Sequence, residues 1–353
     1  MNAQSFLLVP ALLAPIFLAS NAPATRVHFA PAEGSSLTKT FENKANLSLD
    51  EYTISGTGGG QAPEMEMTFT TTQKVVVTDA YVKNREGAPA KLERTYDELS
   101  GDMSMTMKMS IMGQTQSNDQ NMRSKSELEG KKVVFAWDAE KSEYTKTLEP
   151  KEDKPDLLKP LTEDMDFRGL LPAGEVKEGD EWDIPLDSLN AVLTPGGNLA
   201  LVPENADEKS IKMGSEMASM SNMIGDKLEG TAKGKLVALK EVDGVKVGAI
   251  HIDLKIHSSA DMTETARKAL AGADVPKEVS SLEIDHLDIE FKFEGEGELL
   301  WNLEAGHLHT FDLSGQTTIK SEQGMNLEVA GKKMSIQENR SMSGTSSFSA
   351  KAK

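Results

Sequence analysis

The sequence predicts an α+β fold that is mainly antiparallel β, a curved sheet or half-barrel with a few short helices. Three observations lead there. First, much of the chain alternates apolar and polar residues, as where Ile289, Phe291 and Phe293 interleave with Asp288, Glu290, Lys292 and Glu294. Alternation at period two gives each strand one dry and one wet face, the pattern of an antiparallel sheet wetted on one side. Second, turn pairs such as Asp243-Gly244 divide the alternating runs. A type I′ hairpin needs positive φ at both central residues, which Asp-Gly supplies cheaply. Third, helical signals are few and short.

Composition narrows the functional classes. The chain has 353 residues, 38% hydrophobic with 28 Gly, so a packed core is within reach. Cysteine is absent, which excludes disulfides, thiolate metal sites, iron–sulfur clusters and cysteine nucleophiles. The formal net charge of -18 argues against nucleic acid as a partner.

Taken in chain order, Phe6 to Ala19 form an uncharged apolar run, too short and too interrupted by Pro10 and Pro15 for a membrane span. With Ala22-Pro23-Ala24 behind it, the run reads as a secretory signal over residues 1–24, cleaved before Thr25. The expectation is an exported protein of the bacterial periplasm or exterior, without stable membrane insertion. An exported chain without cysteine also lacks a lipobox. Residues 25–170 then read as an N-terminal β-rich half, with a hairpin whose arms lie near Lys131–Trp137 and Tyr144–Leu148.

Residues 171–203 are rich in Pro and Gly and read as a connection; Trp182 within them reads as a core anchor where a strand starts. Short helical turns are expected between Asp156 and Phe167. Residues 204–340 form a second β-rich half. It contains the hairpin Leu236–Ile256, where Val245 and Val247 sit out of phase with Ile250, Ile252 and Leu254; the slip predicts a β-bulge at Gly248. A helix is expected from Asp261 through Leu270, stopped by Gly272 and Pro276, and another over Lys212–Asp226. Strands follow from Leu282 to Ile319 with a turn at Glu304-Ala305-Gly306, and residues 341–353, Ser-rich, are expected to form a flexible tail.

The order of these segments resembles a loose class of uncharacterised secreted bacterial β-rich proteins. The likeness rests on Val27–Gly34, on Leu171-Pro172 with Val176–Trp182, and on Gly297–Leu313. In outline it is similar to the lipoprotein-carrier fold, a curved antiparallel sheet whose concave face holds an apolar guest. The resemblance implies a fold and supplies no catalytic residues.

Methionine carries the most specific signal. Met103, Met105, Met107 and Met109 recur at period two, so on a strand all four project from one face, and Met65 and Met67 repeat the pattern. Met213, Met217, Met220 and Met223 fall within an arc of roughly 120° on a helix. Core filling, an adaptable lining for an apolar ligand or partner segment, and thioether ligation of Cu(I) all fit such a pattern. Neighbours at i and i+2 on a strand stand about 6.5–7 Å apart, which leaves copper little convergence along one strand. The eight methionines are therefore the expected ligand-binding surface of a non-enzymatic protein, with an envelope Cu(I)-binding protein and a structural surface protein without a small ligand as the alternatives. No cofactor is called for. The pair His307 and His309 offers half a metal site, with His286 or Glu304 the nearest further donors in sequence. Phosphate loops, HExxH and nucleophile-elbow motifs are missing.

Overall fold

A computed structural model describes residues 24–57, 64–111, 114–204, 227–271, 279–329 and 331–353. The leader and the expected helix over Lys212–Asp226, with Met213, Met217, Met220 and Met223, therefore lie outside the described residues. Long strands dominate. In the first half they are β1 (Thr25–Arg26), β2 (Ser36–Gly56), β3 (Glu64–Arg85), β4 (Ala88–Ile111), β5 (Gln114–Ser126), β6 (Lys132–Asp138) and β7 (Glu143–Glu149). A crossover follows: helix α1 (Pro155–Leu158), a 3₁₀ turn Arg168–Leu170, β8 (Glu175–Val176), β9 (Glu181–Asp183), a 3₁₀ turn Leu186–Leu189, α2 (Asn190–Leu193) and β10 (Leu201–Pro203). The second half holds β11 (Glu229–Val242), β12 (Val245–Asp261), helix α3 (Thr263–Ala271), β13 (Val279–Asn302), β14 (His307–Val329) and β15 (Lys332–Ala352).

Thirteen strands form one antiparallel sheet in the order β10-β5-β4-β3-β2-β15-β14-β13-β12-β11-β9, with β6 and β7 added beside β4. The sheet is open, not closed into a barrel. The two sequence halves meet where β15 pairs with β2 along almost its whole length, from Ile336↔Gly56 to Ala352↔Lys39. The segment 341–353, expected to be flexible, is thus half of a central strand. Its small residues suit that place: Gly344 lies so close to Asn46 that a Cβ there would meet the carbonyl oxygen at 1.9 Å.

Local expectations largely fall into place. Asp243 and Gly244 have φ of 52° and 78°, as a type I′ turn requires. Helix α3 starts after Asp261, whose carboxylate accepts the Thr263 amide at 2.9 Å. Trp182 is the middle residue of β9, lies over Gly234 and donates its indole N–H to the Leu170 carbonyl at 3.0 Å. The bulge expected at Gly248 is instead on the partner strand, between Leu236 and Ala238. Val245 and Val247 are out of phase for another reason: with Ala249, Leu300 and Ala238 they form a small second cluster on the opposite face.

The main core occupies one face of the sheet at the end marked by the Arg85–Ala88, Val242–Val245 and Asn302–His307 turns. The crossover packs there, and Phe167, at φ 55°, is inserted from it. Its ring meets Phe41, Phe311 and Phe348 edge-on at centroid distances of 5.9, 5.5 and 5.5 Å. Edge-to-face packing of this kind adds about 0.5–1.5 kcal/mol per pair beyond area burial.

Candidate apolar ligand-binding face

The same inner face continues beyond the covered core toward the other end of the strands. In β3 the inward positions run from Val77 and Val75 through Thr71 to Phe69, Met67 and Met65; in β4 they run from Leu99 through Gly101 to Met103, Met105, Met107 and Met109. Burial changes along this line. Val75, Val77 and Leu99 are 0–1% exposed, whereas Phe69 and all six methionines are only half-buried. The four methionines of β4 therefore share one face, and it is the core face of the sheet, not the wet one.

Between the covered and the half-open zones lies a belt of small side chains. Thr71, Ala45, Ser346, Gly315 and Gly295 lie on one inward rung across β3, β2, β15, β14 and β13, with Gly344 and Thr317 on the next. Their small volume leaves a pocket of about 190 Å³, walled by Leu254, Ile256, Phe291, Phe293, Leu313 and Phe348 and roofed by Leu189, Val192 and Leu193 of the crossover. Phe293 folds over two of the glycines: a Cβ on Gly315 would stand 2.7 Å from its ring, one on Gly295 2.6 Å. The pocket exceeds the roughly 150 Å³ of an apolar cavity that takes benzene. It is open on one side, and the next inward residues along the strands are Leu47, Met342, Ile319 and Phe69.

The half-open zone carries little charge. Glu338 and Arg340 of β15 face inward, are paired to each other, and lie beside Tyr52 with the guanidinium 5.9 Å from its ring. Glu338 is 7% exposed, while its partner reaches outward. Burial, then the Glu338 charge, holds the Tyr52 phenol above its ordinary value.

Ionic residues missed in the sequence reading fix the crossover to the sheet. Lys39, Asp79 and Arg94 sit at inward positions of β2, β3 and β4 and are fully buried. Arg94 donates to Asp79 through Nε and Nη2 at 2.6 and 2.8 Å, and to the carbonyls of Thr162 and Glu163 at 3.1 and 2.8 Å. Lys39 bridges Asp79 at 2.8 Å and Asp166 at 2.5 Å, and the Tyr81 hydroxyl also donates to Asp166. Burial opposes charge on Asp79, but Arg94 and Lys39 overcome it and hold its carboxyl at about 2. Nearby, burial pushes Glu163 up to about 7, with Asp164 and Asp166 adding to the rise, although Arg168 pairs with it at 2.5 Å. The signal was present in the sequence: each of Lys39, Asp79 and Arg94 stands at an apolar-phase position, as in Leu37-Thr38-Lys39-Thr40-Phe41.

The histidine pair flanks a residue of the core. A register shift opposite Leu300 and Trp301 lets Leu308, between the two histidines, reach the core. Burial lowers the affinity of His307 for a proton. Among the described residues no group of three His, Asp or Glu side chains is placed to hold a metal ion, and no helix is long and apolar enough to cross a membrane.

No protein-family model matches the sequence, and no curated protein shows significant similarity to it. Among solved structures, the outer membrane protein OprG from Pseudomonas aeruginosa aligns over 91% of this chain and 97% of its own, at 9% identity and a TM-score of 0.21. Two mutants of the Rh. blastica porin align over 88% of this chain and 99% of theirs, at 9% identity and a TM-score of 0.10. Superposition at this level leaves the architecture to be defined by the sheet itself.

Proposed function

We propose that this chain is an exported, non-enzymatic carrier that shelters an aliphatic, lipid-like ligand on the inner face of its sheet. The reading rests on one observation: an apolar pocket lies next along the strands to a half-covered apolar face on the core side of the sheet. Methionine suits such a surface, because a flexible, polarisable side chain adapts to guests of varied shape. In this reading Met103, Met105, Met107 and Met109 form its floor on β4. The lipoprotein-carrier outline, a curved sheet with a guest on its concave side, is the architectural analogy behind this proposal.

Magnitudes set the form of the ligand. At roughly 30 Å³ per heavy atom, taking water's share of liquid volume as a guide, the pocket holds about six carbons. Burying six methylenes at about 0.8 kcal/mol each contributes about 5 kcal/mol, which alone gives only sub-millimolar affinity. Tight binding thus requires the rest of the chain to lie along the methionine floor.

The test is binding of palmitic acid and hexadecanol, followed by native mass spectrometry and calorimetry. Ala45→Phe places a ring in the small-residue belt and should reduce affinity at least about tenfold, equivalent to about 1.4 kcal/mol. Absence of binding by either probe, or an unchanged affinity in Ala45→Phe, would remove the carrier reading.

A further inference from the structure

The strand register supplies what a single strand lacked for soft-metal chelation. Met65 is directly opposite Met109, and Met67 directly opposite Met107, on adjacent rungs of the β3–β4 ladder. All four project from the inner face, while Glu66 and Lys108 of the same two strands pair across the other face at 3.4 Å. Directly opposed residues of an antiparallel pair have Cβ atoms about 4.5–5.5 Å apart. Successive same-face residues are about 6.5–7 Å apart along a strand. The four Cβ atoms thus outline a rectangle of about 5 by 6.8 Å, whose centre is only about 4 Å from each corner.

A methionine side chain has three rotatable bonds, enough to turn its sulfur from such a corner to a point above the centre. A metal–sulfur bond of roughly 2.3 Å then closes the remaining distance. Thioethers are soft ligands that select Cu(I) over hard cations. The choice of residue is also uneven along the face. Its covered part uses Val75, Val77 and Leu99, and dry strand positions generally favour β-branched and aromatic residues. In the distal part of β3 and β4 the inward positions from Met65 to Phe69 and from Met103 to Met109 hold six methionines and one phenylalanine. Sulfur chemistry accounts for that local switch alongside the adaptability that suits an apolar guest. The formal charge of -18 further favours a cation over an anion.

We propose that Met65, Met67, Met107 and Met109 form a binding site for one Cu(I) ion, ligated by thioether sulfur without cysteine or histidine. The site shares Met107 and Met109 with the proposed aliphatic face, but it depends on sulfur and not on apolar area and is read by a separate assay.

The experiment uses the full chain and two probes: Ag(I), a redox-inert soft cation, by calorimetry, and Cu(I) under anaerobic conditions against a chromogenic chelator. The wild type should take up one ion per chain. The double variant Met67→Leu/Met107→Leu keeps size and apolarity, so folding should be retained, while soft-metal affinity falls at least about 100-fold. Met334→Leu on β15 should change it less than about threefold. No uptake at about 10 μM metal, or unchanged affinity in the double variant, would overturn the site, leaving aliphatic binding to be judged by its own assay.

Discussion

Replacing Glu163 by Gln should remove a defined part of the pH dependence of stability. Glu163 is 5% exposed at the junction between crossover and sheet. Its carboxylate faces Arg168 at 2.5 Å, with Asp164 and Asp166 beside it, while its own carbonyl accepts from Arg94. Burial and the two aspartates outweigh Arg168, so the group titrates at about 7 against an ordinary 4.5. Between those values the folded protein holds a proton that the unfolded chain has released. Stability therefore falls as pH rises through that window, by about 1.4 kcal/mol for each pH unit, or about 3 kcal/mol in all. Urea unfolding followed by tryptophan fluorescence at pH 5, 6, 7 and 8 measures it. From pH 5 to 8 the wild type should lose about 2–3 kcal/mol more than Glu163→Gln, because all other groups titrate alike in both. Parallel profiles for the two proteins would refute the reasoning.

Two further outcomes follow from the buried and inward-facing charges. Asp79→Asn leaves Arg94 and Lys39 facing each other without their shared carboxylate and should cost about 3–5 kcal/mol in the same assay. The wild-type contribution of Asp79, with its carboxyl held at about 2, is complete above about pH 4 and is lost as pH falls toward 2. On the ligand side, Ser346 beside the pocket and Arg340 are six residues apart on β15, about 20 Å at strand rise. An aliphatic chain advances roughly 1.3 Å per carbon, given single bonds near 1.5 Å, so about 15 carbons bridge that span. Palmitic acid should bind more tightly than hexadecanol by about tenfold, decanoic acid should show no such preference over decanol, and Arg340→Met should abolish the gap in calorimetry.

The sequence was most legible where period and turn chemistry agree. Ile289, Phe291 and Phe293 alternate without interruption, and Asp243-Gly244 takes its predicted turn, because nearest neighbours alone decide both. The methionines of β4 were legible as a one-sided row for the same reason. Their relation to Met65 and Met67 was not, since opposition across a ladder depends on register, and a shift of one residue would send one row to the other face. The small-residue belt escaped notice because Ala45, Thr71, Gly315 and Gly344 are distant in sequence and become one feature only when five strands align. Ser-rich residues 341–353 were read as loose on composition, but a central strand between two close neighbours favours small side chains. Lys39, Asp79 and Arg94 stood in apolar phase throughout. They were passed over because charge was read as exposure, whereas buried charges with mutual partners are a known exception.

The central claim, that the inner sheet face holds an aliphatic guest, is tested most directly by a spin-labelled stearic acid observed through methionine-methyl NMR. A paramagnetic label on the bound chain should broaden the methyl signals of Met103, Met105, Met107 and Met109, and leave the threonine methyl of Thr106, on the opposite face of the same strand, much less affected. Equal broadening on both faces, or none at any of the four methionines, would contradict it.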